Sequence, residues 1–391
     1  MKGSTLFAVG LAGLAVAYAG GLAVAAVGLR RALRAAPPPL APVLPFVSVI
    51  VPARDEEAVI ERCLFSILRS SYPADRFEVI VVDDLSDDRT AALVEGVAES
   101  NGRVRLLRMP ENLERTRAHK KRAIEKGIAH ARGAVILTTD ADCTAGPGWI
   151  GAMAGAFGDV AADPQAGPVT AFVSGPVVYT IERPALLQIQ ALEFLGLVAL
   201  GAGMIGAGRP VTCNGANVAY RKDVFNALGG FSGIDHLTSG DDELLMQKVA
   251  QETPHRVAFC ADPAATVETE PVRTVGGFIQ QRRRWASKSM HYPSPALVAG
   301  GVVAWGFHAA LLTGAALTPF FPLLAPPVAA SLALAVGAEA ALLVPAARHL
   351  GRPRLPRWLL PMELLRIPYF VYIGVAGLFG GYEWKGRRVA R

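Results

Sequence analysis

The chain is 391 residues long, 52% apolar, with a formal net charge of +6, which allows two or three domains and exceeds the apolar share of ordinary soluble ones. Its four cysteines, Cys63, Cys143, Cys213 and Cys260, form no Cys-x-x-Cys pair; neither a disulfide framework nor a thiolate zinc site is suggested, and a reduced, cytosol-facing body is expected. The basic excess has no aromatic-interleaved stripe, so nucleic acid is not an expected partner, and arginines beside apolar segments point to a membrane surface instead.

In chain order, Leu6 to Leu29 is 24 residues without a charge, enough to cross a bilayer core of about 30 Å. Arg30, Arg31 and Arg34 follow where a signal-peptide cleavage site would have to sit. Residues 1–36 therefore read as an uncleaved anchor whose C-terminal side is cytoplasmic, in the inner or plasma membrane. A stiff Pro-rich linker occupies 37–45. Residues 46–271 read as one cytosolic catalytic domain. Apolar, β-rich runs at 46–51, 77–82, 104–109 and 134–139 alternate with helical patterns at 56–70, 88–100 and 117–131. That alternation predicts βαβ units around a parallel sheet, with ligands beyond the carboxyl ends of the strands. Asp83-Asp84 and Asp140-Ala-Asp142 fall at such ends.

Residues 272–293 read as an interfacial segment carrying Gln281-Arg-Arg-Arg-Trp285, and 294–391 as a membrane region. Two long apolar stretches, 296–318 and 327–344, contain only His308 and Glu339 as clearly titratable groups. A basic loop with Arg348, Arg352, Arg354 and Arg357 precedes a last apolar stretch, 358–380, which holds Glu363, Arg366 and Pro368. Three spans would leave the basic tail outside, against the positive-inside rule. A re-entrant or interfacial last helix broken near Pro368 is therefore expected, since Glu363 and Arg366 are costly at bilayer depth unless paired.

Asp140 and Asp142, just after a buried strand, can share a hard cation such as Mg²⁺ or Mn²⁺, completed by substrate phosphates. The same pair also suits an ordinary Asp-rich turn. Asp83 and Asp84 can accept hydrogen bonds from a base or ribose, while Asp87 and Asp88 suit the cap of the next helix. Lys120 and Lys121 can reach phosphate, although a solvated helix face is the default for such pairs. Crowding Asp241, Asp242 and Glu243 raises at least one pKa, which suits a general base, but the same acids also suit a helix start. Gln281-Arg-Arg-Arg-Trp285 reads either as a headgroup anchor or as a pyrophosphate and acceptor site.

Taken in order, these clusters resemble the membrane-bound family 2 glycosyltransferases, which have a GT-A fold and a Gln-x-x-Arg-Trp motif. Cellulose synthase, hyaluronan synthase and ceramide glucosyltransferase belong to that group. The resemblance runs from about Pro45 to Pro293. It implies a Rossmann-like mixed sheet flanked by helices, bracketed by transmembrane helices. Pro52-Ala-Arg-Asp-Glu56 is similar to the family's Pro-x-x-Asn-Glu turn, with Asp55 replacing the Asn; it implies nucleoside contacts from Pro52 and Glu56. Asp84 matches the acid at the nucleotide base. His119-Lys120 stands where Gly-Lys is common, so only the Lys matches. Asp140 and Asp142 match the metal and donor motif, with Asp142 as the direct ligand. Cys213-Asn214-Gly215-Ala-Asn217 resembles the segment shaping the donor and acceptor pockets. Gly240-Asp241-Asp242 stands where relatives have Thr-Glu-Asp, which places the general base at Asp242 with Asp241 on the acceptor side. Gln281, Arg284 and Trp285 match fully, the first two toward the donor and Trp285 toward the acceptor.

The resemblance implies a single inverting displacement from a nucleotide diphosphate sugar, a UDP-sugar by expectation. At most three apolar segments follow the body, too few to thread a polymer, so a lipid acceptor is preferred to processive polysaccharide synthesis. A transporter or scaffold would need ionisable residues clustered within the apolar segments. His308, Glu339, Glu363 and Arg366 read as too sparse for that. The oligomeric state is not legible.

Overall fold

The computed structural model describes residues 2–36, 38, 43–110, 118–180, 184–237, 240–286, 292, 294–379, 382–384 and 387–389. The chain divides into two compact units. One comprises Arg31–Thr180 and Met204–Glu270, the other Met1–Arg30, Ile181–Gly203 and Pro271–Arg391.

The first unit holds β1 (Val47–Ala53), α2 (Ile60–Leu68), β2 (Phe77–Asp83), α3 (Thr90–Ser100), β3 (Val104–Arg108), α4 (His119–His130) and β4 (Val135–Thr138). It continues through β5 (Thr144–Ala145), α5 (Trp149–Gly155), β6 (Thr170–Ser174), β7 (Val177–Tyr179), β8 (Val218–Arg221), α7 (Lys222–Ala227), α8 (Glu243–Glu252), β9 (Arg256–Phe259) and β10 (Val267–Thr269). Seven strands form one sheet in the order β3-β2-β1-β4-β8-β6-β9. β3, β2, β1 and β4 are mutually parallel, whereas β8 runs antiparallel to both β4 and β6. β2 is buried at every position, as the unbroken run Phe-Glu-Val-Ile-Val-Val requires of a strand covered on both faces. Ile50, Ile80, Ile136, Phe172 and Tyr220 from the sheet pack with Ile124 and Ile128 of α4 and Leu245 and Val249 of α8. β5, β10 and β7 form a second, smaller sheet. The mixed α/β architecture expected from the alternation is therefore present.

The register decides where the site lies. Ala53 pairs with Asp83, so the turn after β1 and the loop after β2 leave the same edge. Thr138 pairs with Val218. Because β8 is antiparallel, the segment Cys213–Asn217 arrives at the edge where β4 delivers Asp140.

The second unit contains α1 (Lys2–Arg34, through Arg30), α6 (Ala185–Gly206, through Gly203), α9 (Val275–Ala286), α10 (Pro295–Leu317), α11 (Ala325–His349) and α12 (Leu359–Phe379). Among the described residues, five helices are long and apolar enough to cross a bilayer: Gly3–Arg34, Ala185–Gly206, Leu297–Leu317, Pro322–His349 and Leu355–Gly377. The chain is a membrane protein by this criterion. α6 lies within the stretch 46–271 read as one domain, and the sequence reading did not separate it as an apolar helix of this kind. Since β7 before it and β8 after it belong to the same unit, α6 returns the chain to the unit it left. Leu11 and Ala15 of α1, Phe307 and Leu311 of α10, Ala335 of α11 and Ile367 of α12 form one apolar core.

Two expectations fail in this unit. α12 is not broken near Pro368 but continues through it to Phe379. Nor are the polar groups sparse in space. Arg366 pairs with both Glu363 and Glu339, Tyr18 Oη donates to Glu339 at 2.6 Å, and His308 Nε2 lies 3.6 Å from Glu363. Pairing removes the reason for excluding these residues from bilayer depth. Tyr18 and Glu339 are 321 positions apart in sequence, and their pairing becomes visible only when the helices pack.

Candidate active site

The turn after β1 is laced to the loop after β2. Arg54 donates to the carbonyls of Asp84 and Leu85 at 2.7 and 3.0 Å, and Glu56 N–H donates to Thr90 Oγ1 at 2.7 Å. Asp55 has φ +50°, a conformation that Asn and Asp tolerate better than other side chains, so Asp can replace the family's Asn here. Its carboxylate accepts from Asp87 N–H at 2.9 Å. Leu85 also has positive φ, at +59°. Positive φ at two non-glycine residues in the two hydrogen-bonded loops marks their conformation as over-determined by its surroundings. Neither Asp87 nor Asp88 is the N-cap of α3, which is Arg89; Asp88 accepts from Thr90 N–H at 2.9 Å at the start of the helix, and Asp87 N–H serves the turn. Asp84 is buried, and His119 Nδ1 lies 3.4 Å from its Oδ1.

His119, Lys120 and Lys121 occupy the first turn of α4, where cations oppose the helix dipole. The structure shows why they are tolerated, and it corrects the expectation of a solvated face. Lys121 is 1% exposed and donates to the carbonyls of Ile234 and Leu237 at 2.6 and 2.9 Å. Lys120 Nζ lies 2.7 Å from Asp140 Oδ1 and 3.1 Å from Asp241 Oδ2. Burial works to lower the Lys120 pKa, but the carboxylates of Asp140 and Asp241, then Asp242, outweigh it and hold the ammonium above its ordinary value.

Lys120 thus joins three elements: the start of α4, the end of β4 and the loop before α8. Gly240, at φ +83°, ends that loop, and a Cβ there would sit 2.7 Å from Leu244. These acids do start a helix: Asp242 occupies the N-cap position of α8 and Glu243 its first turn, but the Asp242 side chain makes no capping bond. Glu243, next along, is buried and accepts from Thr212 Oγ1 at 3.2 Å. The Gly215 backbone passes closely beneath: a Cβ would lie 3.2 Å from Asp242 Oδ2 and 3.3 Å from Asp241 Oδ2. Asn214 builds that turn, accepting from Ala216 N–H at 3.0 Å. Asn217, fully buried, accepts from Trp149 Nε1 at 2.9 Å and donates to the carbonyls of Pro176 and Ala265, each at 2.8 Å. The Asn214–Asn217 segment is thereby pinned beside the carboxylates.

Whether a divalent cation fits depends on the donors. Among the described residues no group of three or more His, Cys, Asp or Glu could hold one. Asp140 and Asp142 supply a two-carboxylate set of the kind that substrate phosphates complete. Burial, then the charges of Asp142 and Asp140, push the neighbouring Cys63 and Cys143 thiols above the ordinary thiol range. The carboxylate donors are hard oxygens, which fit Mg²⁺ or Mn²⁺.

Gln281, Arg284 and Trp285 lie on α9 in the second unit. There the buried cation is Arg282. It pairs with Glu193 of α6 and donates to Gln281 Oε1 at 2.7 Å. Trp285 lies 6.1 Å, centroid to centroid, from Phe194. The sequence reading missed Arg282, Glu193 and His119. A single acid in the otherwise apolar α6, and three bases against a helix dipole, were the available signals.

The fold is that of the GT-A nucleotide-diphospho-sugar transferases. It is similar, at TM-score 0.53 and 23% identity over 93% of this chain and 99% of the other, to a Pyrobaculum calidifontis mannosyltransferase solved with GDP-Man and Mn²⁺. Residues 48–198 match the model of glycosyl transferase family 2, and 160–343 that of glycosyl transferase family group 2. Residues 48–343 are thus matched, in two overlapping segments, by family 2 glycosyl transferase models. The chain is 30% identical over 246 residues to the probable glycosyltransferase YdaM of Bacillus subtilis, covering 62% of this chain and 55% of that one. It is 26% identical over 278 residues to a beta-monoglucosyldiacylglycerol synthase of Synechocystis, covering 69% and 54%. The chain thus spans about half the length of these two curated relatives.

Proposed function

We propose that the chain is an inverting glycosyltransferase that moves a sugar from a nucleotide diphosphate sugar, a UDP-sugar by preference, to a lipid hydroxyl at the cytoplasmic membrane face. The observation that carries this is Asp242. Its carboxylate is half-buried, unused for capping, and set beside Lys120, Asp140 and Asp241 at the carboxyl edge of the sheet. That is where a base must stand if a donor phosphate occupies the β4 end.

In this reading Pro52, Glu56 and Asp84 contact the nucleoside. Lys120 holds the diphosphate, and the motif match assigns Gln281 and Arg284 to donor binding. Asp142, with Asp140, would hold a Mg²⁺ or Mn²⁺, which neutralises charge on a departing diphosphate. Asp242 accepts the acceptor's hydroxyl proton as that oxygen bonds to the anomeric carbon and the bond from that carbon to the diphosphate breaks. Asn214, Gly215, Asp241 and Trp285 wall the acceptor side. No covalent sugar–enzyme intermediate is required.

The glucosyldiacylglycerol synthase relative supports a lipid acceptor. The arginines at 30, 31 and 34 support a cytoplasmic body, and those at 348, 352, 354 and 357 support a cytoplasmic loop between α11 and α12. The test is to incubate the purified full chain in detergent with each common nucleotide sugar, Mg²⁺ or Mn²⁺, and extracted membrane lipids. Nucleoside diphosphate release together with a lipid gaining one sugar mass is expected. A polymeric product would replace the lipid reading with processive synthesis; no release with any donor would refute sugar transfer.

A further inference from the structure

We propose that Glu193 and Tyr369 are positioning residues for the Gln281–Trp285 segment, acting through Arg282. This rests on the sugar-transfer reading for its catalytic consequence, but its structural content stands apart.

Arg282 is 5% exposed, and each of its three guanidinium nitrogens donates a hydrogen bond. Nε and Nη2 donate to the two oxygens of Glu193, Nε at 3.2 Å, while Nη1 donates to Gln281 Oε1 at 2.7 Å. Its central carbon lies 4.2 Å from the Trp285 ring centroid and 4.5 Å from that of Phe278. A guanidinium so occupied at its edges and stacked on two rings is not available to a diphosphate. Its role is to fix its neighbours, and two of them, Gln281 and Trp285, are in the transfer motif.

Glu193 is the sole charged residue of α6. The hydroxyl of Tyr369, on α12, donates to the same carboxylate, and the Tyr369 ring meets Phe278 edge-on at 5.4 Å. Three helices, α6, α9 and α12, therefore converge on one carboxylate. Apolar side chains of similar volume would stabilise such a junction as well or better. What the fork of Arg282 on Glu193 adds is a single geometry, because both hydrogen bonds are satisfied in only one orientation of the guanidinium plane. Rotating it would release Gln281 and unstack Trp285 together. Tyr369 is itself held in place: one turn earlier on α12, Arg366 pairs with Glu339 of α11 and with Glu363.

The experiment uses the purified full chain and Glu193→Gln, Tyr369→Phe and Arg282→Lys. Trp285 emission is isolated by subtracting the spectrum of the matching Trp285→Phe protein. In all three variants the emission is expected to shift, because Trp285 loses its stacked guanidinium. The kcat for sugar transfer is expected to fall about 100-fold, as for a displacement of roughly 1 Å. Donor KM is expected to rise with the release of Gln281; melting temperature falls in Glu193→Gln, which leaves the buried Arg282 without its counter-ion, and stays near wild type in Tyr369→Phe. Unshifted Trp285 emission in both Glu193→Gln and Tyr369→Phe would overturn the proposal. So would a loss of kcat that only tracks a loss of melting temperature. If the wild type transfers no sugar, the functional reading fails, and Trp285 emission alone decides the positioning role.

Discussion

Lys120→Met removes the cation at the centre of the candidate site. Its ammonium lies 2.7 Å from Asp140 and 3.1 Å from Asp241. At an effective dielectric of about 20, unit charges ~3 Å apart attract by roughly 5 kcal/mol, from which the ammonium's desolvation must be subtracted. Asp140, 38% exposed, is screened by solvent and contributes about 1 kcal/mol. Asp241, 11% exposed, is the less screened of the two, and the loss of its ion pair dominates. The substitution is expected to cost about 3 kcal/mol. For a body of this size that lowers the melting temperature by about 6–12 °C. Thermal melts of the purified full chain at one scan rate measure it. The raised Lys120 pKa fixes the pH behaviour. Its stabilisation is complete below the unfolded lysine pKa of about 10.4 and is lost only as pH rises through the still higher folded value. The gap between wild type and variant is therefore flat from about pH 7 to 9. Adding Asp241→Asn should restore more than half of it. A variant melting within about 2 °C of wild type, or no rescue by Asp241→Asn, would refute the assignment of Lys120 as the counter-ion of these carboxylates.

Asp242→Asn should lower transfer by about 10²–10⁴-fold with nucleotide binding retained; unaltered turnover would remove it as the base. Asn217→Ala strips partners from Trp149 Nε1 and from the carbonyls of Pro176 and Ala265, and should cost about 3 kcal/mol, read as a lowered melting temperature. Arg366→Met leaves Glu339 and Glu363 without their cation among apolar helices, and should reduce membrane-inserted yield severely. Adding Glu339→Gln and Glu363→Gln should recover it, as measured by detergent-extractable protein.

Much of the fold was readable because its signals are local. The runs ending at Asp83 and Thr138 are apolar at successive positions, which only a strand covered on both faces needs. The 3.6-residue spacing of Ile124 and Ile128 announces the helix that covers them. Asp84 and Asp140 stand out in the sequence because each follows an apolar strand run, and Lys120 and Asp242 through their place in the motif order. α6 does not stand out, although it is apolar all round, because flanking strands make it look like domain interior. Arg282 was passed over for Arg284, since three adjacent arginines look alike until one is buried.

The sequence by itself determined the strand–helix alternation, the carboxylates at strand ends, the apolar helices of both termini and, through motif order, the family. Periodicity and composition act over a few residues, so one chain written in order carries them. Only the tertiary structure decided that Lys120 bridges Asp140 and Asp241, that Asp242 is left uncapped, and that Tyr18, Glu339 and Arg366 meet. Those facts depend on an antiparallel β8 and on helix crossings between segments hundreds of residues apart. Side-chain pairing at such separations is fixed by packing, and no local pattern records it.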